Sequence, residues 1–423
     1  MNKKVILFAG LGVILLIAII LVCCGGSTIT VSGSREPQKD TGKPTLKVYI
    51  ENSGSMDGYM SQGSELKDAV YAYISDLNSE CGAVYLNYIN STVIPYPSKD
   101  ITSYIKTMNP QTFAMAGGNR HTTDISEVIK RVLLGMDKNT VAILVSDCIL
   151  ALPGGDSTKE LGICKTSVKL AVENGRKKIP DLGVQILKME STFTGTYYQF
   201  TGTEQLSGVK RPYYIWIFGR AGTLARLNRE ADYTALPGYK DMVAFTAPVP
   251  NAYNAGEPSG KPKKVHLQRG NSDNKVYKFT VQADMRETLL PASATTDLKN
   301  YQITADGIAI EKIATQTGDK KYSHTIFLTM QKDTRLPETK LTFLRPAMPA
   351  WVANTNDNTG KEIRKHLQQT TGIASIIGGV AEAYRKENVI ATMEVFFDKK
   401  ESHDTQEPQE NNSRTNRHNQ TNK

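Results

Sequence analysis

Residues 46–56 read LKVYIENSGSM, a short apolar run that ends in a carboxylate, an amide and two hydroxyls. A run of this kind is typical of a strand that is buried on both faces of a sheet. Glu51, Ser53 and Ser55 follow at alternate positions, which point to the same side when the chain is extended. The stretch therefore predicts a buried strand with oxygen-bearing side chains gathered at its carboxyl end.

Strands and helices alternate downstream of this stretch. Strands are predicted at 83–90, 141–147, 184–191 and 213–220, and helices at 64–80, 123–136, 166–179 and 222–231. Such alternation predicts parallel βαβ units with helices on both faces of one sheet. We therefore expect an α/β fold with a doubly wound, mainly parallel sheet over residues 46–247.

The pattern changes after residue 247. Strand-like segments with period-two alternation, separated by Asp, Gly, Asn and Pro, predict a second, mainly antiparallel β domain over residues 248–399. Within it, residues 360–386 are expected to form a C-terminal helix that packs against the β domain. Residues 400–423 contain no large apolar side chain, so we expect a disordered tail.

Residues 1–24 predict attachment to a membrane. Residues 5–22 are apolar and uncharged, which is long enough for a transmembrane helix, and two preceding lysines favour a cytoplasmic N-terminus. Alternatively, Cys24 and the glycines after it resemble the processing site of bacterial lipoproteins, although Cys23 stands where those proteins prefer Gly, Ala or Ser. In both cases residues 25–45 form a flexible tether, and the body lies outside the cytoplasmic membrane, held by a single-pass or lipid anchor.

Charge and cysteine content give further expectations about binding partners and disulfides. The net charge of +9 is spread along 423 residues without an aromatic-interleaved basic motif, so we expect no nucleic-acid binding. Cys148 and Cys164 could form a disulfide in an oxidising compartment. The alternative is that these two and Cys81 are buried, free thiols.

Polar residues from three loops are expected to meet at the carboxyl ends of the parallel strands, where open α/β sheets bind ligands. Glu51, Ser53 and Ser55 follow the first strand, Thr123 begins a predicted helix, and Asp147 ends a predicted strand. Carboxylates and hydroxyls are hard oxygen ligands, which suit Mg²⁺, Ca²⁺ or Mn²⁺ better than zinc or copper. These five residues are therefore a predicted divalent-cation site.

The same residues carry a resemblance to von Willebrand factor type A domains. ENSGSM (51–56) resembles that family's D-x-S-x-S motif, TTD (122–124) its threonine loop, and VAILVSD (141–147) the strand that ends in its late acidic residue. The chain departs from the family at Glu51, where Asp is usual, and at Cys148, where Gly is common. The resemblance implies a doubly wound α/β fold with a metal-ion-dependent adhesion site that binds a partner's carboxylate.

The functional prediction is a binding protein and not an enzyme. We expect a membrane-tethered, extracytoplasmic bacterial protein that binds an acidic group of a partner protein through a divalent cation. The alternatives are a metal-free structural subunit of an envelope complex, or a metal-dependent hydrolase that uses Glu51 and Asp147. Ser64 and Lys67 match the S-x-x-K motif of serine β-lactamases, but no K-T-G accompanies them, so Ser64 is interpreted as a helix N-cap.

Overall fold

The structure, a computed structural model, describes residues 27–37, 42–61, 63–120, 124–150, 157–199, 202–269, 275–335 and 337–399. The predicted membrane segment, the predicted C-terminal tail and Thr123 lie outside these residues. Within the described ranges, no helix combines the length and the apolar character needed to cross a bilayer.

Helices and strands alternate in the first half of the chain, and strands dominate the second half. The strands are β1 (Thr28–Ser32), β2 (Ser34–Arg35), β3 (Thr45–Glu51), β4 (Ala83–Ile89), β5 (Val93–Pro95), β6 (Thr140–Ser146), β7 (Leu182–Gln199), β8 (Gly202–Arg220), β9 (Tyr239–Phe245), β10 (Tyr253–Asn254), β11 (Lys263–Arg269), β12 (Lys275–Ala283), β13 (Tyr301–Ile303), β14 (Ile308–Thr315), β15 (His324–Gln331), β16 (Glu338–Leu344), β17 (Asn356–Asp357), β18 (Thr370–Thr371) and β19 (Val389–Lys399). The α-helices are α1 (Glu65–Glu80), α2 (Ile101–Thr107), α3 (Pro110–Ala116), α4 (Ile125–Leu134), α5 (Ser157–Lys178), α6 (Ala221–Glu230), α7 (Ala292–Thr295), α8 (Ala350–Asn354) and α9 (Ile373–Ala383).

One sheet holds seven strands in the order β5-β4-β3-β6-β8-β7-β9. Strand β3 pairs in parallel with β4 and with β6, whereas the β4–β5, β6–β8, β7–β8 and β7–β9 pairs are antiparallel. Strand β6 is buried at every position, as its uninterrupted apolar sequence requires. Apolar residues of α1, α2, α3 and α6 cover one face of this sheet, and those of α4, α5 and α9 cover the other.

The prediction of a doubly wound, mainly parallel sheet is therefore wrong. Strand β7 continues well past residue 191 and pairs with β8 from Leu182 opposite Arg220 to Gln199 opposite Gly202. So short a connection can join only antiparallel strands, because a parallel pair needs a long crossover. Strand β8 thus lies between β6 and β7 and is antiparallel to both. A doubly wound fold would instead have parallel strands at these positions.

The second sheet holds ten strands, all paired antiparallel, with the path β13-β16-β19-β1-β11-β12-β10-β2 and with β14 and β15 attached through β12. Strands β1 and β2 lie within the segment that was expected to be a flexible tether, so that part of the prediction is corrected. Ile29 and Val31 alternate with polar residues and are buried in the core of this sheet. A period-two pattern of this kind forms a strand when a sheet edge is available to pair with it.

The C-terminal helix is shorter than the predicted 360–386 and packs elsewhere. Helix α9 begins at Ile373 and lies against α5 on the seven-stranded sheet, not against the β domain. Gly379 makes this contact close, because a Cβ atom there would lie 2.5 Å from the carbonyl oxygen of Lys165. After β16, which belongs to the ten-stranded sheet, the chain thus returns to the seven-stranded sheet, where α9 completes the core.

Candidate metal centre

Four of the five predicted ligands meet at the carboxyl ends of β3 and β6. The parallel register places Ile50 opposite Val145, so Glu51 lies beside Ser146, and Asp147 is the next residue along the chain. Ser53 lies just before the 3₁₀ turn Gly54–Tyr59 that follows β3, and Ser55 lies within this turn. Thr123, the fifth predicted ligand, lies outside the described residues.

Hydroxyl and backbone groups surround the two carboxylates. Ser146 donates a short hydrogen bond to Oε2 of Glu51 and accepts one from the N–H of Cys148 at 2.8 Å. The Oγ atoms of Ser53 and Ser55 are 3.0 Å apart. The N–H of Ile149 donates to Oδ1 of Asp147 at 3.2 Å, but Oδ2 of Asp147 is buried and has no hydrogen-bond partner among the residues that the structure describes.

Burial makes the charged forms of both carboxylates costly. Glu51 is 4% exposed and Asp147 is 2% exposed. Burial, with a further contribution from the negative charge of Asp147, raises the pKa of Glu51, and hydrogen bonds from Ser146 and Ser53 oppose the shift. Burial also raises the pKa of Asp147, against hydrogen bonds from Ser55 and the Ile149 N–H and the positive charge of Arg211. Among the described residues, Arg211 therefore offsets the burial of Asp147 only in part, and no positive charge offsets the burial of Glu51.

The donor set fits a hard divalent cation. Glu51, Ser53, Ser55 and Asp147 would hold it through carboxylate and hydroxyl oxygens, and Oδ2 of Asp147 is the oxygen left without a hydrogen bond by the described residues. A cation would also supply the charge that the pair lacks. In the part of the chain that the structure describes, no group of three or more His, Cys, Asp or Glu side chains is arranged for a metal, so the centre would depend on its hydroxyl ligands.

Two asparagines and an arginine that were not predicted hold the turn after β3. Asn90 donates to Oδ1 of Asn52 at 3.0 Å and to the carbonyl of Gly117 at 2.9 Å. Arg120 donates to the Asn52 carbonyl at 2.8 Å and to Asp57 at 2.5 Å. Asn90 follows the end of β4, so the reasoning from strand ends that selected Glu51 and Asp147 could also have found it. Arg120 carries no comparable signal in the sequence.

The outer part of the β7–β8 hairpin covers the turn after β3. Tyr59 donates to the carbonyl of Pro212 at 2.6 Å, and its ring meets that of Phe193 edge-on with centroids 5.0 Å apart. Tyr198 lies over Gly54, where an added Cβ would be 3.2 Å from the tyrosine hydroxyl, yet Tyr198 remains 46% exposed. The hairpin therefore forms one wall of the candidate centre and presents an aromatic side chain beside it.

The structure also tests the predictions for the cysteines and for Ser64. Cys81, Cys148 and Cys164 are free and buried, so the disulfide alternative is wrong and the free-thiol alternative is confirmed. The Cys148 thiol accepts a hydrogen bond from the Trp216 indole N–H at 3.2 Å. Ser64 caps α1 by accepting from the Lys67 N–H at 3.5 Å, as predicted.

No protein-family model matches this chain, and no curated protein is similar enough to be a relative. The resemblance to type A domains consequently rests on the motif residues themselves and stays a prediction.

Proposed function

We propose that this chain is a binding protein whose centre at Glu51, Ser53, Ser55 and Asp147 takes a divalent cation, with Mg²⁺ the first choice and Ca²⁺ or Mn²⁺ the alternatives. Bound there, the ion would attract an acidic group of a partner protein. The observation that carries the proposal is the buried carboxylate pair, in which one oxygen of Asp147 has no hydrogen-bond partner within the described part of the chain. Ser55 is half-buried, so it is the side chain of the four through which a partner would approach the ion.

The cellular setting is part of the proposal. A transmembrane or lipid anchor within residues 1–24 would hold the protein at the cell membrane, with its body on the extracytoplasmic side. The apolar run at residues 5–22 and the cysteines that follow support this setting.

Titration calorimetry with MgCl₂, CaCl₂ and MnCl₂ tests the cation. We expect saturable binding, and a rise in the free energy of unfolding of about 2.7 kcal/mol when the free ion exceeds its Kd about 100-fold. Asp147→Asn should weaken binding by about tenfold or more, because it removes the negative charge of one of the two carboxylate ligands. Asp76→Asn, which changes an exposed acid on α1, is the matched control and should bind as the wild type does.

A metal-free structural subunit is the second candidate, and the raised pKa of Glu51 favours it. A protonated Glu51 would relieve the repulsion with Asp147 without any ion. Equal melting temperatures in EDTA and in each of the three salts, with no heat of binding, would select this candidate. A pulldown with the immobilised protein as bait tests the partner. If binding depends on the cation, the wild type retains the partner in Mg²⁺ but not in EDTA, and the Asp147→Asn variant does not retain it.

A further inference from the structure

Arg211 is a buried cation that forms no ion pair with the carboxylates of the described residues. Its side chain is 0% exposed, and none of these carboxylates lies within 4.0 Å of the guanidinium. The guanidinium stacks on Tyr197, with Cζ 4.5 Å from the ring centroid, and its Nε meets no hydrogen-bond acceptor in the described segments. A buried charge is costly unless another charge or several dipoles compensate it, so the surroundings of Arg211 need an explanation.

The sheet register brings Arg211 near the candidate metal centre. Ser146 on β6 pairs with Tyr214 on β8, so Asp147 falls at the level of Tyr213. Arg211 is two positions further along β8, about 7 Å beyond that level and on the same face of the sheet as Tyr213. Its positive charge is accordingly among the groups that favour the ionised form of Asp147.

The same guanidinium holds a segment that belongs to the second half of the chain. Residues 366–371, here called the bridging segment, accept two hydrogen bonds from Arg211, at the carbonyls of Leu367 (3.1 Å) and Gln369 (3.3 Å). The carbonyl of Thr371 accepts from the N–H of Leu150, three residues after Asp147, at 3.1 Å. The bridging segment therefore contacts the centre's surroundings through Arg211 and through the loop after β6.

We propose that Arg211 sets the cation affinity of the centre and links its occupancy to the bridging segment. This inference rests on the proposed function. A divalent cation near Asp147 would replace Arg211 as the charge that compensates this carboxylate, and it would repel the guanidinium. The bonds from Arg211 to the Leu367 and Gln369 carbonyls would then weaken, so cation binding loosens the bridging segment.

Calorimetry on two Arg211 variants tests the charge effect. Arg211→Met removes the charge but keeps an apolar side chain of similar length, and should bind Mg²⁺ about tenfold more tightly. Arg211→Lys keeps the charge and should bind Mg²⁺ as the wild type does. A purely structural role for Arg211 predicts that both variants bind more weakly, and that result would overturn the inference.

Hydrogen exchange of the full chain tests the linkage without any variant. Two backbone N–H groups report on the bridging segment. That of Thr370 donates to the Thr355 carbonyl, and that of Gly372, the residue directly after the segment, donates to the Asp357 carbonyl. Their exchange should accelerate several-fold in saturating Mg²⁺ relative to EDTA, while exchange in β12 and β15 stays unchanged. Mg²⁺ binding with unchanged exchange at these two amides would overturn the linkage alone. Absence of binding of any of the three cations would overturn the proposed function as well.

Discussion

His324 is buried on β15, and hydroxyl groups engage both of its ring nitrogens. Nε2 lies 2.8 Å from Oγ1 of Thr295, and Nδ1 lies 2.8 Å from Oγ of Ser323. Burial lowers the pKa of His324 to about 4, while Asp284 acts to raise it and Arg286 to lower it further. The folded protein therefore holds this imidazole neutral at pH values where the unfolded chain would protonate it.

Stability should fall as the pH decreases from about 6.5 to about 4, because in that window the unfolded chain binds a proton that the folded chain does not. The lowered pKa of His324 corresponds to a loss of at most about 3 kcal/mol in the free energy of unfolding at the acid end of this window. His324→Gln should remove this part of the slope in urea unfolding measured between pH 7 and pH 4. His266→Gln, at an exposed position on β11, should keep it, and equal slopes in both variants would contradict the assignment.

Helices α5 and α9 pack closely because of one glycine. A Cβ at Gly379 would lie 2.5 Å from the Lys165 carbonyl oxygen and 2.9 Å from Cβ of Val168. At the neighbouring Gly378, the nearest atom is Cε of Lys165 at 3.4 Å, the far end of a flexible side chain. The two adjacent glycines thus differ in what surrounds them, although both occupy the same helix.

Gly379→Ala should destabilise the protein by about 1–3 kcal/mol, because α9 must move away from α5 to admit the methyl group. Gly378→Ala is the matched control and should be neutral or stabilising by up to about 1 kcal/mol, since alanine is the better helix former. Midpoints of urea unfolding measure both effects. Similar midpoints for the two variants would show that the helices do not pack in this way.

The ten-stranded sheet depends on strands from opposite ends of the chain. Strand β1 lies between β11 and β19, with Thr28 opposite His266 and Ile29 opposite Lys399. Strand β2 pairs with β10 at the end of the sheet. Loss of the N-terminal strands would therefore open the sheet in its interior and expose two unpaired edges.

A chain that begins at Ser27 should keep the ten-stranded sheet, whereas one that begins at Glu36 should lose β1 and β2 and melt at a markedly lower temperature. The reason is the loss of two ladders of backbone hydrogen bonds together with the buried side chains of Ile29 and Val31. Circular dichroism melting combined with limited proteolysis across residues 275–344 measures the difference. Coincident melting curves for the two chains would contradict the role given to β1.

The sequence by itself was sufficient for the elements with strong local patterns and for most of the candidate centre. Strands β3 and β6 are continuous apolar runs, and α1 shows helical periodicity with Ser64 as its cap, so neighbouring residues alone determine them. Glu51 and Asp147 were predictable because Glu51 ends one buried strand and Asp147 directly follows another, and parallel neighbouring strands bring such residues together.

Only the tertiary structure decided which strands pair, where α9 docks and which charges lie near the centre. The entry of β8 between β6 and β7, the place of β1 between β11 and β19, and the approach of Arg211 to Asp147 join residues far apart in the chain. Local periodicity determines whether a segment forms a strand or a helix. Its partner and the burial of its charges depend on long-range packing, in which many pairings with similar local patterns compete.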